Sequence, residues 1–181
     1  MALPISAEYA LSNGLELGMD YSEIAAIMGF PERIETQHSA DIAQSIYYLT
    51  YPGEARLCLM AELNAPVEES KLWSAQIYSD TISLGRMGDS GRRINEICPL
   101  YGINPVIIES GSEYLPVLQN LSIPHDGYYD SAIALVPRDE ALWENGPPPC
   151  AALLFKDGEL QCVYLCYAVA ADFRFAVSAP Q

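Results

Sequence analysis

Residues 15–31 hold a short helix with both ends punctuated, and a segment of the same design returns 73 positions later. Asp20 or Ser22 can cap the start, because a side-chain oxygen there accepts from an unpaired N–H of the first turn. Ile24, Ile27 and Met28 fall at i, i+3 and i+4 and make an apolar stripe. Gly29 suits the left-handed residue after the last turn, and Pro31 forbids continuation. In the second copy Gly18 falls on Gly91, Glu23 on Glu96, Ile24 on Ile97 and Gly29 on Gly102. Each helix is followed by strands in runs, not by alternating strand and helix. That order excludes a βαβ architecture and predicts an α+β fold.

After the first helix, residues 33–36 alternate as a strand and residues 37–44 read as a hairpin loop. Residues 45–51, rich in tyrosine and β-branched side chains, predict a second strand. Pro52-Gly53 is a turn, residues 56–60 a third strand, 64–70 a loop and 72–78 a fourth strand. Residues 79–90 read as a linker. The second helix spans 92–101, with Pro99 expected to break or kink its last turn. Strands are expected at 106–109 and 132–136, separated by a longer insertion at 110–127, and a proline-rich loop follows at 138–149. The clearest hairpin closes the pattern, with strands at 150–155 and 160–167 around Asp157-Gly158, the dipeptide preferred in a type I′ turn. The expectation is two tandem helix-plus-antiparallel-sheet modules, 1–80 and 81–181. Helices cover one face of a joined sheet and the other face stays open. A module of about 80 residues is marginal alone, which favours joining them.

Half of the residues are hydrophobic and 18% are charged, which excludes wholesale disorder. The net charge of −15 disfavours nucleic acid as a partner, since phosphate binding draws on lysine and arginine. Such a surface either keeps the protein soluble or complements a basic partner protein. No segment has the run of roughly 18 apolar residues that spans a bilayer, so no membrane partner is expected. Neither a basic leader nor an apolar one opens the sequence, and the five cysteines leave at least one unpaired. Both point to a cytoplasmic location, or to export with the leader removed.

The opening at residues 17–31, with Gly18, Met19, Ser22, Glu23, Gly29 and Pro31, resembles that of the β-lactamase-inhibitor-protein-like modules. These modules also occur singly in small outer-membrane assembly lipoproteins. The layout, ending in a strand–Asp-Gly–strand hairpin, is similar to their tandem form. The resemblance implies a concave sheet that grips a partner protein, with one loop from each module inserted into it. Asp41 then takes the place of the family's inserting aspartate, and Trp143 lies where an aromatic is presented. The family's disulfide in each module has no counterpart in the cysteine spacing here, and an exported target does not suit a chain without a leader. The resemblance therefore lends the fold and not the target.

Catalytic signals are thin. His38 and His125 lie far apart in expected loops, and surface histidines are the plainer account. Cys162 and Cys166 share a strand face near Cys150, but without a Cys-x-x-Cys knuckle they read as buried thiols, not zinc ligands. Ser90 in its Gly-Asp-Ser-Gly context lacks a histidine partner. No metal and no cofactor are expected. The aromatics say more, since twelve tyrosines stand against four phenylalanines. A tyrosine joins a large contact area to a polar tip, which suits an interface. Adjacent tyrosines on a strand also place one ring in the core and one outside. The candidate partner-binding residues are Asp41, Tyr47, Tyr48, Tyr51, Trp73, Tyr128, Tyr129 and Trp143. The expected function is non-enzymatic: a binding protein of inhibitor or immunity type, with loops 37–44 and 138–149 at the edge of its sheet. The alternative is an assembly module acting as a homodimer through tyrosine-rich faces. A small enzyme with a site between the modules is the third possibility.

Overall fold

The computed structural model describes residues 10–87, 92–101, 106–107, 129–135 and 148–167. The chain divides into two compact units, Met1–Gly85 and Arg86–Gln181. Among the described residues the fold is α+β, with one short α-helix and open antiparallel pairing in each unit.

In the first unit, helix α1 spans Tyr21–Met28 and Asp20 is its N-cap. The Asp20 carboxylate accepts from the Glu23 N–H at 2.9 Å, while the Asp20 N–H donates to Glu23 Oε2 at 2.8 Å. This reciprocal box satisfies two of the N–H groups that a helix start leaves unpaired. Ser22, the other candidate cap, donates its hydroxyl to Asp20 instead. Gly29 closes the helix at φ 76°, its N–H donating to Ala25 O. Four strands follow in consecutive antiparallel order: β1 (Arg33–Ser39), β2 (Gln44–Tyr51), β3 (Ala55–Glu62) and β4 (Lys71–Ile77). The first two run further than their composition suggests. The predicted loop at 37–44 therefore shrinks to residues 40–43, and Gln37, His38 and Ser39 join β1.

Strict alternation along β2 buries Ser45, Tyr47, Leu49 and Tyr51 and turns Gln44, Ile46, Tyr48 and Thr50 the other way. The register continues the buried face into Ala55, Leu57 and Leu59 of β3 and Leu72, Ala75 and Ile77 of β4. The Tyr51 hydroxyl donates to Gly29 O at 3.1 Å, which places the end of α1 over this face. Tyr47 donates to Ala65 O in the loop after β3. Residues 79–85 are not a plain linker, because Ile82 and Leu84 are buried and Leu84 bridges Leu11. Backbone bonds Ser12 N–H to Ser83 O (2.8 Å) and Gly85 N–H to Ala10 O (3.0 Å) hold that seam.

In the second unit, helix α2 (Ile94–Tyr101) continues through Pro99 instead of breaking there. Proline removes a single N–H, and this one lies on the exposed side of a short helix. Strands β5 (Val106–Ile107), β6 (Ser131–Leu135), β7 (Pro149–Lys156) and β8 (Glu159–Tyr167) pair in order. The β7–β8 turn is as predicted, with Asp157 at φ 52° and Gly158 at φ 78°. Here, however, alternation fails. Every residue from Cys150 to Phe155 and from Cys162 to Cys166 is buried, so this hairpin is covered on both faces. Two equivalent tandem modules with one covered and one open face are therefore not what the chain builds. A continuous apolar run cannot leave one side of a strand to water.

The likeness between the halves is local. The Leu72 N–H donates to Met19 O and the Leu160 N–H to Arg92 O, both at 2.8 Å, and Met19 and Arg92 are 73 apart. Asp20 bridges Lys71 as Arg93 bridges Glu159, with the charges exchanged between helix start and strand start. Ile24 and Ile97, also 73 apart, are both fully buried.

Candidate protein-binding face

The face of the first unit's sheet that α1 does not cover is built from three rows of side chains set by the strand register. Arg33, Thr50, Arg56 and Gln76 form one row, and Glu35, Tyr48, Cys58 and Ser74 the next. The third is Gln37, Ile46, Met60 and Lys71. Ile46, Tyr48, Cys58 and Met60 are half-buried, an apolar centre with polar and charged side chains around it. The Arg56 guanidinium lies over the Tyr48 ring, 4.9 Å from its centroid. A cation held over an aromatic face is attracted by the ring quadrupole, so this pair keeps Tyr48 in place on an otherwise open surface.

Burial governs the titratable groups at the centre of the face. Burial pushes the Cys58 thiol up to about 11, although the Ser74 hydroxyl and Arg56 pull the other way. The thiolate is the reactive form of a cysteine, and burial here disfavours it. Burial likewise raises the Tyr48 phenol above its ordinary range. Among the described residues there is no group of three or more His, Cys, Asp or Glu side chains placed to hold a metal ion. What the face offers is contact area with a fixed aromatic at its centre.

One margin of the sheet is the turn at 40–43, with Asp41 exposed and Ile42 52% exposed. Ala43 sits at φ 52°, and its carbonyl accepts from the Leu63 N–H at 3.1 Å, tying the turn to the end of β3. Ser45 Oγ accepts from the Asn64 N–H and lies 2.8 Å from His38 Nδ1, so His38 braces the same corner. At the other end of β1 stands Phe30, 83% exposed. The acids outnumber the bases here: residues 1–85 contain twelve Asp and Glu against Arg33, Arg56 and Lys71. Each of those three cations is engaged, Arg33 with Glu35 at 3.4 Å, Arg56 with Tyr48 and Lys71 with Asp20 at 3.8 Å.

Of the eight residues expected to bind a partner, Tyr48 lies on this face and Asp41 at its margin. Tyr47 and Tyr51 point into the core beneath α1, 7% and 5% exposed. Trp73 is half-buried where β4 has an extra residue, because Leu72 pairs with Leu59 while Ser74 pairs with Cys58. Tyr129 is half-buried before β6 in the other unit. Tyr128, Trp143, His125, Ser90 and nearly all of loop 138–149 lie outside the described residues. Ile42, Ile46, Arg56 and Met60 were passed over by an aromatic criterion. For Ile46, Arg56 and Met60 the signal lies in the alternation of β2 and β3 about the Pro52-Gly53 turn, which fixes who stands beside Tyr48, whereas Ile42 sits in the turn before β2.

No helix among the described residues is long and apolar enough to cross a membrane. In comparisons with protein-family models, curated proteins and solved structures, nothing matches this chain.

Proposed function

We propose that this chain is a non-enzymatic protein-binding module that engages a basic partner protein, in the manner of an inhibitor or immunity protein. The contact is the half-exposed face centred on Tyr48, with the 40–43 turn at its margin. The observation that carries the reading is the Tyr48–Arg56 pair set among Ile46, Cys58 and Met60, on a unit with an unbalanced acidic surface. Interfaces concentrate their energy in packed aromatic and arginine anchors, and surrounding charges steer the encounter. The opening at residues 17–31 is what suggests kinship with the β-lactamase-inhibitor-protein-like modules, and it does not lend their target. The reading involves no cofactor and, with so few cations to meet phosphates, no nucleic acid.

The test is affinity capture from the source cell's lysate, with wild type, Tyr48→Ala and Asp41→Lys as baits. Wild type retains a basic protein, and each variant binds it about tenfold or more weakly, Asp41→Lys with its melting temperature unchanged and Tyr48→Ala while still folding cooperatively. Equal retention by all three baits would remove this face as the contact.

One observation favours a second reading, assembly as a homodimer. Strand β1 is exposed on both sides over Arg33–His38, with Ile34 40% exposed, and an outer strand of this length presents unpaired backbone groups to a second copy. A sedimentation measurement that finds only monomer at high concentration disposes of it.

A further inference from the structure

The β7–β8 hairpin contains a pair of cysteines that the binding face does not use. Cys150 and Cys166 are directly opposite in the antiparallel register. Their Sγ atoms are 3.4 Å apart, and both side chains are almost wholly buried, at 0% and 2% exposure. Directly opposed residues in an antiparallel pair have Cα atoms about 4.5–5.5 Å apart. A disulfide accepts Cα separations of roughly 4.4–6.8 Å. The backbone is thus already set for a bond, and the sulfurs need to close by little more than one ångström to reach about 2.05 Å. Cys162 stands opposite Leu154, and Cys58 and Cys98 lie on β3 and α2.

We propose that Cys150 and Cys166 are a built-in disulfide site that staples the open end of the β7–β8 hairpin when the chain folds in an oxidising medium. The oxidant is a small-molecule disulfide. The thiolate of one cysteine attacks it, releases one small thiol and leaves a mixed disulfide on the protein. The second cysteine displaces the remaining small thiol, so two electrons and two protons pass to the oxidant and one protein S–S bond forms. In the finished fold this exchange is suppressed. Both sulfurs are closed off from a soluble disulfide by burial. The Cys166 thiol is also pushed well up, first by its contact with Cys150 and then by burial, which disfavours the attacking thiolate. Oxidation therefore belongs to folding, before the hairpin is covered, and the site records the medium in which the chain folded.

The experiment refolds the denatured full chain in oxidised glutathione and, in parallel, in a reducing buffer. Thiols are then counted under denaturing conditions, and cross-linked peptides are mapped by mass spectrometry. The expected product is a monomer 2 Da lighter than the reduced chain, with three free thiols, a Cys150–Cys166 peptide and a raised melting temperature. Cys150→Ser refolded in the same way keeps its four thiols free of an internal bond. Five free thiols in refolded monomer, a bond between other cysteines, or a bond that lowers the melting temperature would each overturn the proposal.

Discussion

Tyr47, Tyr48 and Tyr51 show how far a single residue's role can be inferred from its position. Strand parity puts Tyr47 and Tyr51 on one face and Tyr48 on the other, but parity does not say which face is covered. The deciding facts are remote in sequence: the Tyr51 hydroxyl meets Gly29 O and the Tyr47 hydroxyl meets Ala65 O. Removing the first of these is expected to take from the Gly29 carbonyl, at the exposed end of α1, the donor that ties it to the sheet. Tyr51→Phe should lower unfolding free energy by about 1 kcal/mol in denaturant titrations at neutral pH. A second consequence follows from burial, which pushes the Tyr51 phenol from its ordinary 10 up to about 12. The folded state holds that proton longer than the unfolded chain does. The contribution is therefore complete below pH 10 and is lost as pH rises towards 12. Stability measured across that window should fall less steeply in Tyr51→Phe than in wild type. Identical slopes would show that another group governs alkaline unfolding.

At the scale of elements, the features that depend on a few neighbouring residues were legible in the sequence. The capped helix start at Asp20, the Gly29 stop and the Asp157-Gly158 turn each follow from local backbone chemistry. Covering was not legible. The run from Cys150 to Phe155 has no polar residue in it, a pattern that a strand buried on both faces shares with any short apolar segment. Read as one more half-open strand, it suggested a second module like the first. The turn itself gives a clean test, because space and conformation can be separated there. A Cβ built on Gly158 would meet Ile94 Cγ2 at 3.8 Å, an ordinary contact, so the cost of substitution lies in its φ of 78°. Gly158→Ala is expected to destabilise the protein by about 1–2 kcal/mol, the penalty for a side chain in the left-handed region. Gly158→Asn, which tolerates that region better, should lose less. If alanine and asparagine cost the same, the turn has re-formed with another geometry.

For the molecule as a whole, the charge of −15 bears on folding and on binding with opposite signs. A chain with so few cations repels itself, and most of that repulsion acts between exposed groups that salt can screen. Raising ionic strength from about 0.01 M to about 1 M shortens the screening length from roughly 30 Å to roughly 3 Å. The melting temperature should therefore rise with added sodium chloride. Recognition of a basic partner responds the other way, since the steering field that brings the two together is screened by the same ions. Association of the captured protein should slow as salt rises, while dissociation, set by the packed contacts around Tyr48, changes little. Tyr48→Ala should reverse that division, speeding dissociation and leaving the salt dependence of association intact. Asp41→Lys, at the exposed margin, should act mainly on association. These kinetics separate a charge-guided interface with an aromatic anchor from simple adhesion of an apolar patch. Adhesion would strengthen in salt along with the fold, and that result would set the basic-partner reading aside.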